Sequence, residues 1–133
     1  MKTTLSWLLF LCLFWSGTSA WAADMSCEQA ASVVERTLDI PEGLLAAIAR
    51  VESGNHPFAV NVNGLAVQFA RRSLATDAVR TMLESGAMGQ RPRVDVGCFQ
   101  INLGWHPHAF SSVEDGFNPL SNGLAAGRLL PWP

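Results

Sequence analysis

No tyrosine occurs anywhere in the 133 residues, lysine occurs once, and charged side chains make up only 15% of the chain. Nine basic against eleven acidic residues leave no cationic surplus to neutralise a phosphate backbone, so no nucleic-acid partner is expected. Three cysteines are too few for an all-cysteine structural metal site. The longest apolar run, Trp7 to Trp15, falls well short of the length that spans a bilayer as a helix. Internal repeats, low-complexity tracts and linkers are also missing, and the seven prolines fall between expected elements or at the end. The chain therefore reads as one small domain with a single core.

What is present begins with a leader. Lys2 precedes the Trp7–Trp15 run, and Ala20 and Ala22 supply the small side chains of an A-x-A cleavage site, so residues 1–22 read as a secretory signal peptide. Phe10 and Leu11 before Cys12 argue against a lipoprotein site, and an uncleaved anchor is the alternative. Removing 22 residues of 133 leaves 111, residues 23–133, with eight arginines against eleven acids and a net charge of −3. Localisation is then periplasmic or secreted, where two remaining, well-separated cysteines, Cys27 and Cys98, are expected to pair. His56, His106 and His108 have no metal-ligand spacing and read as solvated loop histidines, so neither metal nor cofactor is expected.

Short helices with clear punctuation follow. Ser26 with Gln29 is a capping box opening a helix over 27–38, with inner face Cys27, Ala30, Ala31, Val34 and Leu38. Asp39 and Pro41 signal a second helix that carries Leu44 to Glu52 and stops at Gly54-Asn55. Alternation through Val60, Val62, Leu65, Val67 and Phe69 around Asn63-Gly64 predicts a hairpin. Leu74, Ala78, Val79, Met82 and Leu83 predict a third, structural helix over about 74–85. The fold class is mainly α, a small α+β domain with one hairpin.

Glu52 is the candidate for chemistry. Leu44, Leu45, Ile48 and Val51 recur at helical spacing, and Glu52 lies four residues beyond Ile48 on the same apolar stripe. A carboxylate desolvated there has its pKa raised toward the range of a proton donor. From this segment alone, Glu52 reads either as such an acid or as a surface glutamate at a frayed helix end. The segment Val94-Asp95-Val96-Gly97-Cys98-Phe99-Gln100-Ile101-Asn102 turns the choice toward the acid.

Taken together, Glu52-Ser53, Gly97-Cys98-Phe99-Gln100, and Asn118-Pro119 with Asn122 resemble, in order, the motifs of the soluble lytic transglycosylase catalytic domain, a lysozyme-like fold related to goose-type lysozyme. The resemblance covers about Ile40 to Leu130. The stretches Ala59 to Gly64 and Asp95 to His106 also look like a subgroup associated with cell-envelope assemblies, which implies peptidoglycan glycan strands as substrate and an envelope-spanning secretion or flagellar machine as partner.

The resemblance implies a reaction run on one carboxylate. Glycoside cleavage ordinarily takes two acids. In this family the substrate's own N-acetyl group assists departure and its 6-hydroxyl closes onto C1, giving a 1,6-anhydro sugar, while the single glutamate acts as acid and then as base. Ser53, Gln100, Asn102 and Asn122 would bind the sugar by polar contacts, and Phe99 and Trp105 would offer apolar platforms, with core packing the other reading of Phe99. Asp95 reads either as a second carboxylate positioning water, which would make an inverting hydrolase, or as the cap of a short helix begun near Gly97. A glycan-binding accessory protein is the non-enzymatic alternative. The family's tyrosine falls at Ala125, and Pro131-Trp132-Pro133 cannot extend the last helix. An incomplete carboxyl end, low stability and weak activity are the expectations that follow.

Overall fold

A computed structural model describes residues 25–131; the expected leader, residues 1–22, lies outside the described residues. Among the described residues the fold is α+β, with four α-helices and one four-stranded antiparallel sheet.

Helix α1, Cys27–Thr37, starts at the expected capping box: Gln29 N–H donates to Ser26 Oγ at 3.1 Å and Ser26 N–H to Gln29 Oε1 at 2.9 Å. Its buried face is Cys27, Ala30, Ala31, Val34 and Glu35, while Leu38, expected inside, is half-buried at the C-cap. Helix α2, Leu44–Ser53, starts later than Asp39 and Pro41 suggest, because residues 41–43 form a turn and the N-cap is Gly43, which has no side chain to cap with. The cap comes from α1 instead. The Glu35 carboxylate accepts from the N–H groups of Gly43, Leu45 and Ala46 at 2.9, 2.7 and 3.2 Å. Those are three of the donors that a helix start otherwise leaves orphaned.

Strands β1, Ala59–Val62, and β2, Leu65–Gln68, form the predicted hairpin across Asn63-Gly64, both at positive φ. The expectation of a single hairpin falls short. β3, Val94–Val96, pairs with β1, and β4, Ile101–Asn102, pairs with β3, giving the order β2-β1-β3-β4. Val60, Val94, Val96 and Ile101 face the interior, and β1 and β3 are the central strands.

Helix α3, Arg72–Glu84, lays Ala75 and Val79 against the apolar side of the sheet together with Phe117 from the 3-10 turn Asp115–Phe117. Helix α4, Pro119–Leu129, has proline at its first position and Asn118 as cap, accepting from Leu120 and Ser121 N–H at 3.0 and 3.1 Å. It packs with α1 and α2 around Val34, Leu45, Ala49, Phe99 and Ala126. Leu130, which precedes Pro131, is extended with ψ 134, as the residue before proline prefers. Among the described residues no helix is long and apolar enough to cross a membrane.

Candidate active site around the Gly97–Gln100 turn

Val96 hands the chain to a four-residue turn before β4, and every residue of that turn is fastened. Gly97 has φ +80 and donates its N–H to Ala59 O at 2.9 Å. A Cβ on it would lie 2.5 Å from both Asn122 Nδ2 and Gly116 O, so only glycine fits. Cys98 is bonded to Cys27, the expected pairing, and its carbonyl accepts from Ser53 Oγ at 2.7 Å. Phe99 N–H donates to Asn122 Oδ1 at 2.8 Å. Gln100, at φ +52, folds its amide back to donate to Gly97 O at 2.9 Å and Ala59 O at 3.2 Å. A left-handed backbone at a side chain other than glycine, asparagine or aspartate costs free energy that its surroundings must supply.

These bonds reassign several expected substrate contacts. Asn122 is fully buried in α4, with Nδ2 donating to Val96 O and Gly116 O at 2.9 and 2.8 Å, so its three bonds hold the turn and none faces a cleft. Ser53 is buried, and its hydroxyl lies between Cys98 O and Ala49 O while accepting from His56 N–H at 3.2 Å. Phe99 belongs to the core. Asp95 sits in β3 and caps no helix, because none begins near Gly97.

Glu52 differs most from expectation. It is exposed, and its neighbour Val51 is 83% exposed. The buried stripe of α2 is Leu45, Ala49 and Ser53, one helical turn apart, and Glu52 stands outside it. The expectation of a carboxylate buried on the apolar stripe is therefore corrected: Glu52 stands in solvent. The helix end itself is held firmly: Gly54 at φ +64 and Asn55 at φ +60 reverse the chain, and Asn55 N–H donates to Ala49 O at 3.2 Å.

Beside this helix end lies the polar face of the sheet. Asn61, Asp95 and Asn102 stand opposite one another on β1, β3 and β4, all on the face turned away from the valines. They floor a cavity of about 640 Å³ rimmed by Asn63, Gly64, Arg91, Arg93 and Trp105. Asn102 Nδ2 donates to Asp95 Oδ1 at 2.7 Å, and Asn102 Oδ1 accepts from Gly104 and Trp105 N–H at 3.0 and 2.9 Å. Of the expected sugar-binding amides, only Asn102 lines this cleft. Gln68 lies on the same face, paired with Ala59 at the other end of the hairpin, and donates to Ser53 O at 3.4 Å, so the end of α2 reaches the face of the sheet that also carries the cleft. Arg91, Arg93 and Asn61 were not singled out from the sequence; Asn61 alternates along β1, whereas Arg91 and Arg93 lie in the irregular segment before β3 and carry no local signal.

No family model, curated protein or solved structure matches the chain. Among the described residues no group of three His, Cys, Asp or Glu side chains is placed to hold a metal ion. Ala125, at the position of the expected tyrosine, borders a second cavity of about 360 Å³ between α4 and the 105–109 loop.

Proposed function

We propose that the chain is a periplasmic peptidoglycan lytic transglycosylase of lysozyme-like fold, cleaving the β-1,4 bond between N-acetylmuramic acid and N-acetylglucosamine. The observation that carries this reading is the fastening of the Glu52-Ser53 helix end to the Gly97–Gln100 turn through Ser53 Oγ and Cys98 O, at the sheet whose polar face carries an open cleft. Two motifs 45 positions apart are thereby held as one unit. Glu52 at the exposed end of α2 protonates the leaving glycosidic oxygen. The substrate's acetamido group supports the positive charge at C1, and the 6-hydroxyl then attacks C1 as the same carboxylate removes its proton. No water is consumed, and the glycan ends in a 1,6-anhydro ring. Burial of the acid comes with the glycan strand, which displaces water from an otherwise open carboxylate.

Asp95 favours one second reading, because its carboxylate reaches the cleft floor. A water held there would make the protein an inverting muramidase. Mass spectrometry of muropeptides released from purified sacculi separates the readings. Anhydro ends support the transglycosylase, reducing ends support the muramidase, and binding to sacculi without release leaves a glycan-binding accessory of an envelope-spanning secretion or flagellar machine.

A further inference from the structure

Strand β2 is an open edge of the sheet. Among the described residues it pairs with β1 on one side and with nothing on the other, and all four of its residues are exposed. Edge strands usually carry a lysine, a proline or a bulge that discourages further pairing. β2 has none of these, and residues 57–70 contain no charged side chain at all. The hairpin fixes which backbone groups are left over. Asn63-Gly64 is a two-residue loop, so Val62 and Leu65 are a hydrogen-bonded pair, and Val60 with Val67 is the next. Phe69 N–H donates to Phe58 O at 3.2 Å, in the same phase. The N–H and C=O of Ala66 and Gln68 therefore point away from β1, toward the open edge. Leu65 and Val67 stand opposite Val62 and Val60 on the apolar face of the sheet, yet they are 71% and 41% exposed, because α3 packs over Val60, Val94 and Val96 and leaves β2 uncovered.

We propose that β2 is a self-association edge, pairing antiparallel with β2 of a second copy about a twofold axis at Val67. Outward-facing backbone must meet outward-facing backbone, which sets Ala66 of each copy opposite Gln68 of the other as a hydrogen-bonded pair. Val67 then meets Val67 across the axis as a non-bonded pair, with Cα atoms about 4.5 Å apart. Leu65 meets Phe69, so the apolar row Leu65, Val67, Phe69 is completed by the same row running the other way. Arg71 lies four positions from the axis, which puts the two copies' arginines at opposite ends of the pairing, and no like charges are brought together. One patch thus serves both molecules. A single short strand pair stays below about 1,200 Å² of buried surface, so the dimer is weak, with a Kd on the order of 0.1 mM. Adding a strand at an edge preserves the two faces of a sheet. Both copies' polar faces, each with its cleft of about 640 Å³, therefore lie on one side of a continuous sheet, and both α3 helices lie on the other. This pairing does not rest on the glycan-cleaving reading.

The test is sedimentation equilibrium of the full chain from about 10 μM to about 1 mM, a range that brackets the expected Kd. The average mass is expected to rise from 14.4 kDa toward double that value. Ala66→Pro removes an outward N–H without touching a bond to β1 and is expected to keep the chain monomeric at every concentration. Val67→Lys sets two cations against each other at the axis and should do the same, with the melting temperature of each variant at low concentration checking that the hairpin is kept. Register is read by oxidation in a Cys12→Ser background. Val67→Cys is expected to cross-link to itself, whereas Leu65→Cys is not, since two Leu65 positions are about 13 Å apart at roughly 3.3 Å per residue. A mass that stays at 14.4 kDa to about 1 mM, or Leu65→Cys cross-linking as readily as Val67→Cys, would overturn the proposal. So would association that survives both edge variants, as contacts through the apolar run Trp7 to Trp15 would.

Discussion

Ala49 and Ser53 are small, and their size is what lets α2 lie close enough to the Gly97–Gln100 turn for Ser53 Oγ to reach Cys98 O. Leu44, Ile48 and Val51 are larger and more apolar, so they dominate a reading by hydrophobic periodicity, yet the closest contact runs through the small residues and turns Glu52 outward. An exposed acid can be neutralised without disturbing the fold. Glu52→Gln is expected to lower muropeptide release by about a hundredfold to ten-thousandfold while the melting temperature stays where it was. Parental release by the variant would remove Glu52 from the reaction. Gly97→Ala is expected to do the reverse. Its Cβ meets a backbone carbonyl that cannot move aside, on top of a left-handed φ, so the loss should exceed about 3 kcal/mol in denaturant unfolding. Gly54→Ala is the control for strain alone, since its φ is +64 but nothing lies within 4 Å of the added carbon, and about 1 kcal/mol is expected.

Elements with a period were legible in the sequence. α1 with its capping box, the Asn63-Gly64 hairpin and the end of α2 at Gly54 stand where local chemistry placed them. β3 and β4 were not legible, because three residues and two residues carry no readable alternation. Their pairing depends on β1, more than thirty positions earlier, and with them went Asn61, Arg91 and Arg93 as site residues. Glu35 was missed for a different reason. A buried carboxylate looks out of place on an apolar face until the bare N-terminus of a neighbouring helix is set against it. Because α2 carries the proposed acid, its start and its end are both functional concerns. Glu35→Ala leaves three backbone donors without partners, and a loss of about 2 kcal/mol or more is expected. Glu35→Gln keeps one acceptor oxygen and should lose less. Equal stability of all three proteins in urea would show that water replaces the carboxylate.

At the scale of the whole molecule, two sub-cores share the turn as their joint. One gathers α1, α2 and α4, and the other gathers the sheet, α3 and the 3-10 turn. The Cys27–Cys98 disulfide ties the first helix to that joint across 71 positions. In the chain-entropy picture a loop of that size stabilises by about 4 kcal/mol, a large share of what a small domain has in total. Reduction is expected to lower the unfolding free energy by about that amount, seen as a lower denaturant midpoint, and to lower muropeptide release with it, read by denaturant titration and by product release with and without dithiothreitol. An unchanged midpoint would mean that the turn is held by its hydrogen bonds alone.

The turn's partners lie 23, 41, 45 and 71 positions away along the chain. Contacts of such span form late in folding, after loop-closure entropy has been met. A partly folded chain holds Ser53 and Cys98 without holding them together. α4 must be in place before Asn122 can close on Phe99, and α1 must be in place before Cys27 can find Cys98. For the proposed transglycosylase, the ability to cut a glycan strand would therefore be acquired in a single late event, when the turn closes on its distant partners and the disulfide forms.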